Sequence, residues 1–368
     1  MATSKQKVLI YRLGSLGDTV IVLPVFHKIR EAYPDAEITL LTNKPIVNKA
    51  APLESILGSS GYFFDRVLSY PIGTRDPEVL MSLLKEIRAL KIDVLIYLAG
   101  VRTLKTIFKT KITVFRDWCF FKAAGVKKTV GFPKIRQDYE LSVDAETGEF
   151  EWEAKRLARR VKALGPIPLS DDNYWNFKFC DLELETANTM LKPISGQPIF
   201  AASIGTKSQA CDWEEDNWLN LLKRLTPALP GFQLVMVGGP DEFERSERCI
   251  AAWGGAGINL CGKTSPRVSA LILKQARTFL GHDSGPMHLA AAVGTACTAV
   301  FSARALPRQW YPRGDYHKII FHQTDCAGCA LETCIVEKKK CILSITVNEV
   351  ESAVLELLGK GTKNKYKL

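Results

Sequence analysis

The sequence predicts an α/β protein of two domains, each an open parallel sheet wrapped by helices, the two facing a central cleft. Three observations predict it. Short apolar runs such as Val8-Leu9-Ile10-Tyr11 and Gln233-Leu234-Val235-Met236-Val237 read as strands buried on both faces. Helical periodicity separates them, the order that parallel crossovers produce. The chain's 368 residues suit two packed cores better than one.

In the first half, strands at Val8–Tyr11, Ile38–Leu41, Val67–Leu68 and Val94–Leu98 alternate with helices. Those helices run to about Ala32, to about Leu57, and from Glu78 to Leu90. Pro24 falls inside the first and is expected to kink it. Residues 99–130 mix basic and aromatic side chains: Arg102, Lys105, Phe108, Lys109, Lys111, Phe115, Arg116, Trp118, Phe120, Phe121 and Lys122. They read either as an amphipathic helix packed on its own domain or as a surface for an anionic, partly apolar acceptor or a membrane. A helix from Glu151 to Leu164 follows. Turn formers then accumulate, Gly165-Pro166-Ile167-Pro168 and Ser170-Asp171-Asp172-Asn173.

The domains are accordingly 1–180 and 181–350, with 351–368 as a helix end and basic tail. After a short helix near Leu184–Leu191, the second series has strands at Ile199–Ala202, Gln233–Val237 and Thr278–Leu280, and a closing segment at Ala296–Phe301. Its helices lie near Asp216–Thr226, from about Asp241, near Val268–Gln275 and from Pro286. The lysine-rich tail Gly359–Leu368 is expected to be disordered.

Composition excludes several classes. With 46% hydrophobic and 24% charged residues, the chain is neither disordered, collagen-like nor a disulfide mini-protein. No apolar run reaches the roughly 18 residues that span a bilayer. The polar Met1–Lys7 and the brief apolar run after it do not make a secretory signal. A cytoplasmic protein is expected, with peripheral contact at the inner membrane as a further expectation. A net charge of +10 favours an anionic partner. No recognised motif supports nucleic acid in that role.

Three segments carry chemistry. Gly281-His282-Asp283-Ser284-Gly285-Pro286-Met287-His288 follows a strand and opens a helix. Pro286 suits the first helical position and Gly285 the cap, leaving the N–H groups of Gly285, Met287 and His288 for an anion. Ser284 and His288 share a helix face. The plain alternative is a Gly-Pro helix start with a capping histidine. Ala290-Ala291-Ala292, which let the helix pack closely on its sheet, weigh for the anion site.

The second segment is Gly14-Ser15-Leu16-Gly17-Asp18, where glycines let the backbone turn tightly after the first strand. Asp18 is either an N-cap or a general base for an acceptor hydroxyl. The third is Val237-Gly238-Gly239-Pro240-Asp241-Glu242. Glu242 there is either a ribose contact or an acid stabilising a helix start.

These segments resemble the ADP-heptose-dependent heptosyltransferases, glycosyltransferase family 9. The matching runs are Arg12 to Asp18, Val237 to Glu242, Leu260-Cys261-Gly262-Lys263-Thr264-Ser265 and Asp283 to His288. The resemblance covers roughly residues 6–358 and implies two Rossmann-like domains in the GT-B arrangement. It implies inverting transfer of a sugar, most often L-glycero-D-manno-heptose, from a nucleotide diphosphate to an acceptor hydroxyl. Asp18 is then the catalytic base, with Gly14, Ser15 and Gly17 as the acceptor loop. Donor contacts are Ser203, Thr206, Lys207, Gly239, Glu242, Lys263, Asp283, Ser284, Gly285, Met287 and His288. No cofactor is expected for transfer. The expected partners are ADP-heptose or a related nucleotide sugar and an anionic glycolipid of the lipopolysaccharide inner core. Alternatives are a protein acceptor of the autotransporter type, or a non-catalytic nucleotide-sugar binder.

One departure from the family is visible. A lysine is usual just before the Trp of its Ser-Lys-x-Trp-like segment; here that position is Cys211, with Trp213 nearby and Lys207 four residues earlier.

Cysteine usage adds one more expectation. Cys326-x2-Cys329-x4-Cys334-x6-Cys341 can supply four thiolates for a structural zinc or iron, away from the anomeric chemistry, against the alternative of a loop of free thiols. Cys119, Cys180, Cys249, Cys261 and Cys297 read as buried small apolar residues.

Overall fold

A computed structural model of the chain describes residues 5–44, 51–58, 60–99, 107–139, 143 and 148–364. The chain divides into two compact units, Met1–Lys178 and Phe179–Leu368.

In the first unit the strands are β1 (Lys7–Tyr11), β2 (Glu37–Asn43), β3 (Arg66–Tyr70), β4 (Val94–Tyr97) and β5 (Lys128–Val130). They form one parallel sheet in the order β3-β2-β1-β4-β5. Val8, Leu9 and Ile10 are fully buried, as an unbroken apolar run at a sheet centre must be. Ile10 pairs with Leu40 on one side and Ile96 on the other.

In the second unit the strands are β6 (Ile199–Ser203), β7 (Gln233–Met236), β8 (Gly257–Asn259), β9 (Thr278–His282), β10 (Cys297–Phe301) and β11 (Lys318–Phe321). Their order is β11-β10-β9-β6-β7-β8, again parallel. In both sheets the first strand is central and the direction in which strands are added reverses beside it, between β1 and β4 and between β6 and β9. In open α/β sheets ligands bind at the carboxyl ends of the strands flanking such a reversal.

Several expectations are corrected. Pro24 does not kink a helix. The chain breaks at Ile21–Val22 into helices Leu16–Val20 and Leu23–Ala32, and Pro24 lies in the first turn of the second, where its missing N–H costs nothing. The helix expected to Leu164 ends at Arg160 and tightens into a 3₁₀ turn, Lys162–Leu164. Of the tail expected to be disordered, Gly359–Asn364 continues a helix, Val347–Asn364, whose Val350 and Val354 are buried in the second core, and residues 365–368 lie outside the described residues. The 99–130 segment contains a helix, Ile107–Ala123, whose Val114 and Phe121 join the first core. Arg102, Lys105 and the side chains of Phe108 and Lys109 lie outside the described residues.

Candidate active site

In the first unit, Arg12 follows β1 and is almost wholly buried. Its guanidinium donates to the Leu98 carbonyl at 2.7 Å and to the Asp18 carbonyl at 2.6 Å. One side chain thus ties the ends of β1 and β4 to the helix Leu16–Val20. Gly14 has φ +152, and a Cβ there would lie 2.7 Å from Cβ of Asp18, so only glycine lets this loop close. Ser15, not Asp18, is the N-cap, and Asp18 is the third helical residue. Oδ2 of Asp18 accepts from the Ser15 N–H at 2.7 Å and from the Ser15 hydroxyl at 2.8 Å. This is the carboxylate half of a capping box, and it fixes the acid at the carboxyl end of β1. Gly17 lies inside the same short helix, its carbonyl accepting from Ile21.

In the second unit the expected helix start moves by one residue. Ser284 is the cap, in extended conformation, Gly285 is the first helical residue and Pro286 the second. Proline is tolerated there because the first-turn N–H groups have no acceptor within the helix. The His288 N–H is not spare, as it donates to the Ser284 carbonyl at 3.4 Å. The N–H groups of Gly285 and Met287 remain at the helix mouth. Ser284 makes no side-chain cap bond. Its Oγ, like that of Ser203 at the end of neighbouring β6, is buried without a hydrogen-bond partner among the described residues. A buried hydroxyl left unpaired costs on the order of 1–3 kcal/mol. Two such hydroxyls at the ends of neighbouring strands, one of them capping a positive helix end, can serve an anion rich in acceptor oxygens. Asp283 Oδ1 lies 3.9 Å from Nε2 of His288, across the first turn.

Glu242 ends a 3₁₀ turn, Pro240–Glu242, that Gly239 caps. Its carboxylate turns back over the sheet: a Cβ added at Gly205 would lie 1.9 Å from Oε1, and one added at Gly238 2.0 Å from Oε2. The carboxylate therefore lies across the ends of β6 and β7.

The loop after β6 is pinned from below. The Trp213 N–H donates to Nε2 of His282 at 2.9 Å, and its indole donates to the Ile345 carbonyl at 2.8 Å. Burial pushes the His282 pKa down to about 4, so the ring stays a neutral acceptor. Trp218 stands edge-on to both, at 4.8 and 4.9 Å. Thr206 Oγ1 accepts from the Ser208 N–H at 3.5 Å, and Lys207 is exposed. Lys263 does not join this group. Its ammonium donates to the Asn259 carbonyl at 3.1 Å and lies 4.8 Å over the Phe243 ring, beyond the edge strand β8.

Cys211 is buried, and burial pushes its thiol up to about 12. The neighbouring Arg304 guanidinium and Ser302 hydroxyl pull it the other way, more weakly. A cation thus stands beside the position where the family's lysine is absent. Sequence reasoning missed Arg304, Arg12 and His282, which act through contacts distant in the chain. A strand-end residue followed by a turn was the one local signal for the first of them.

The structure does not bring the four cysteines of the expected metal set together. Among the described residues no three or more His, Cys, Asp or Glu side chains are grouped to hold an ion. Cys341 is buried, its sulfur 3.5 Å from the Ser302 hydroxyl. Cys326 pairs with the Thr324 hydroxyl, and Cys334 accepts from the Lys339 N–H at 3.3 Å. The thiols are drawn to separate local partners. The segment is also not remote from the donor loop. Ala210 N–H donates to the Glu332 carbonyl, Cys334 N–H to Gln209 and the Lys339 ammonium to the Asp212 carbonyl, at 3.1, 2.9 and 3.0 Å. Arg304 donates to the Ala330 and Leu331 carbonyls. Of the five cysteines expected to be buried, Cys249, Cys261 and Cys297 are, whereas Cys119 and Cys180 are exposed.

The family described as "Glycosyltransferase family 9 (heptosyltransferase)" matches residues 119–340. The chain is 24% identical over 327 residues, 78% of its own length and 80% of the relative's, to lipopolysaccharide heptosyltransferase 3 of Escherichia coli K12. Among solved structures it resembles the family 9 glycosyl transferase of Veillonella parvula, with a TM-score of 0.71 at 16% identity, covering 98% of this chain and 99% of that one. It also resembles ADP-heptose lipopolysaccharide heptosyltransferase II of E. coli, with a TM-score of 0.63 at 16% identity, covering 97% and 100%. The likeness in fold is to GT-B proteins built, like this one, on two parallel-sheet α/β units. With the matched region spanning more than half of the chain, the protein belongs to glycosyltransferase family 9, the heptosyltransferases, and is a glycosyltransferase.

Proposed function

We propose that the chain transfers heptose from ADP-heptose, with inversion, to a hydroxyl of an anionic lipopolysaccharide inner-core acceptor at the cytoplasmic face of the inner membrane. Residues 181–350 bind the donor and 1–180 the acceptor. The observation that carries this reading is the pair of unpartnered hydroxyls, Ser203 and Ser284, beside the open helix start at Gly285. The names of the relatives, which include lipopolysaccharide and ADP-heptose, support the substrate class.

Breaking a glycosyl–phosphate bond builds negative charge on the leaving diphosphate. The Gly285 and Met287 N–H groups and the two serine hydroxyls meet that charge with dipoles already in place. Loss of one such donor typically costs about 3–4 kcal/mol of barrier. Arg304, beside Cys211, supplies the cation that the lysine-less loop lacks. Glu242 accepts from the ribose hydroxyls. Asp18, oriented by Ser15, removes the proton as the acceptor hydroxyl attacks the anomeric carbon from the face opposite the diphosphate.

The test is mass spectrometry of products from a panel of nucleotide sugars with lipid A–Kdo and protein acceptors. ADP and a heptosylated glycolipid are expected. Turnover only with another nucleotide sugar, or only on a protein, would overturn the donor or the acceptor assignment respectively.

A further inference from the structure

The helix Ile107–Ala123 has one face that its domain does not cover. Its inner side is set by Val114, Asp117 and Phe121, buried at spacings of three and four. The outer side therefore carries Ile112, Phe115 and Trp118, which are 53%, 66% and 42% exposed. Phe115 and Trp118 stack on each other, centroids 6.1 Å apart and planes at 17°. A stacked aromatic pair held out in water, with an isoleucine one turn away, is more than the scattered apolar exposure of an ordinary surface.

The exposed charges of residues 110–130 have a single sign. Lys111, Arg116, Lys122, Lys127 and Lys128 are all exposed. The one acid between residues 110 and 130 is Asp117. It is turned inward, accepting from the Tyr97 hydroxyl at 2.8 Å and paired with Arg116. The Lys122 ammonium lies 5.8 Å over the Trp118 ring. The cations thus flank the aromatic pair and do not oppose it. A second copy of the chain on this face would set these cations against their own kind. A soluble acidic protein would match the charge but gives no reason for exposed stacked rings. An anionic bilayer matches both, because its headgroups attract lysine and arginine while tryptophan and phenylalanine enter the headgroup boundary.

We propose that the outer face of the helix Ile107–Ala123 docks on an anionic lipid surface, Phe115 and Trp118 inserting while Lys111, Arg116, Lys122, Lys127 and Lys128 meet the headgroups. The inference rests on the membrane-face reading above and deepens it, and its test, which needs no sugar, can fail without the donor and acceptor assignments failing.

It is tested with the full chain and vesicles alone, without nucleotide sugar. Co-sedimentation is measured with phosphatidylcholine vesicles and with about three parts phosphatidylcholine to one part phosphatidylglycerol. Binding to the anionic vesicles should be at least about tenfold tighter, and should weaken at about 0.5 M salt. The Phe115→Ser/Trp118→Ser variant should lose about tenfold or more of that binding with its melting curve unchanged. Because that variant could fail to fold, Trp118→Phe gives a second measurement. It should keep binding but lose the tryptophan quenching that brominated lipid produces in the unsubstituted chain. Equal binding to both vesicle types, undiminished binding by the folded double variant, or bromolipid quenching that survives Trp118→Phe would each overturn the proposal. So would self-association that the double variant abolishes, which would assign the face to a second copy.

Discussion

Glu242 and Gly205 touch across two strands: a methyl group placed on Gly205 would meet Oε1 of Glu242 at 1.9 Å. The glycine at the end of β6 is the space into which the carboxylate from the end of β7 folds. Gly205→Ala should therefore push Glu242 off the sheet. ADP affinity measured by calorimetry should fall about tenfold, or about 1.4 kcal/mol. Glu242→Gln should give a similar loss without steric change. Unaltered ADP binding in both variants would mean that the carboxylate does not face the nucleotide.

Asp18 and Ser15 form a second pair whose parts can be separated. Asp18→Asn keeps the size of the side chain and removes its basicity, so kcat should drop by about 10²–10⁴. Ser15→Ala leaves the base but removes its hydroxyl partner. It should lower kcat by less and cost about 1 kcal/mol of stability as a lost cap. Steady-state kinetics and thermal melting of the two variants decide; equal losses of kcat would contradict the division of roles.

Three histidines shielded from water, His27 and His282 buried and His317 half-buried, give the protein an acid-sensitive window. Burial pushes His27, His282 and His317 down to about 4, against 6.5 in an exposed chain. Between those values the unfolded chain binds protons that the folded chain does not. Stability is then complete above 6.5 and is lost as pH falls toward 4, each histidine contributing up to about 3 kcal/mol. Carboxylates held low by partners, such as Glu183 by Arg267, lose their contribution only below the ordinary 4.5. Melting temperature measured from about pH 7 to about pH 5 should already decline. A flat profile there would contradict neutral buried rings.

Thiol chemistry should follow burial. Cys119 and Cys180 are exposed, whereas burial raises the Cys211, Cys249 and Cys261 thiols to about 12 and pushes the Cys297 thiol upward as well. Brief alkylation of the folded protein with iodoacetamide, read by peptide mass spectrometry, should label the first two and spare the other four. Rapid labelling of Cys211 would place the loop after β6 elsewhere.

The sheet centres were legible because β1, β4, β6, β7, β9 and β10 are apolar runs buried on both faces. The edge strands β5, β8 and β11 were not, being three or four residues long with no clear period. The helix start at Ser284, Gly285 and Pro286 was legible in outline, since a strand–turn–helix start is a local pattern. Its details were not. The cap position and the use of the His288 N–H depend on one residue of helix phase. Arg304 and His282 reach Cys211 and Trp213 across large sequence separations. The place of the cysteines was not legible, because spacing alone does not reveal that Cys341 is drawn into the core beside Ser302.

The central claim is that the diphosphate of the donor rests on the start of the helix Gly285–Ala292. A crystal structure with ADP tests it most directly. Phosphate oxygens should accept from the Gly285 and Met287 N–H groups and from the hydroxyls of Ser203 and Ser284, all within about 3.2 Å. ADP bound with those four groups untouched would contradict it.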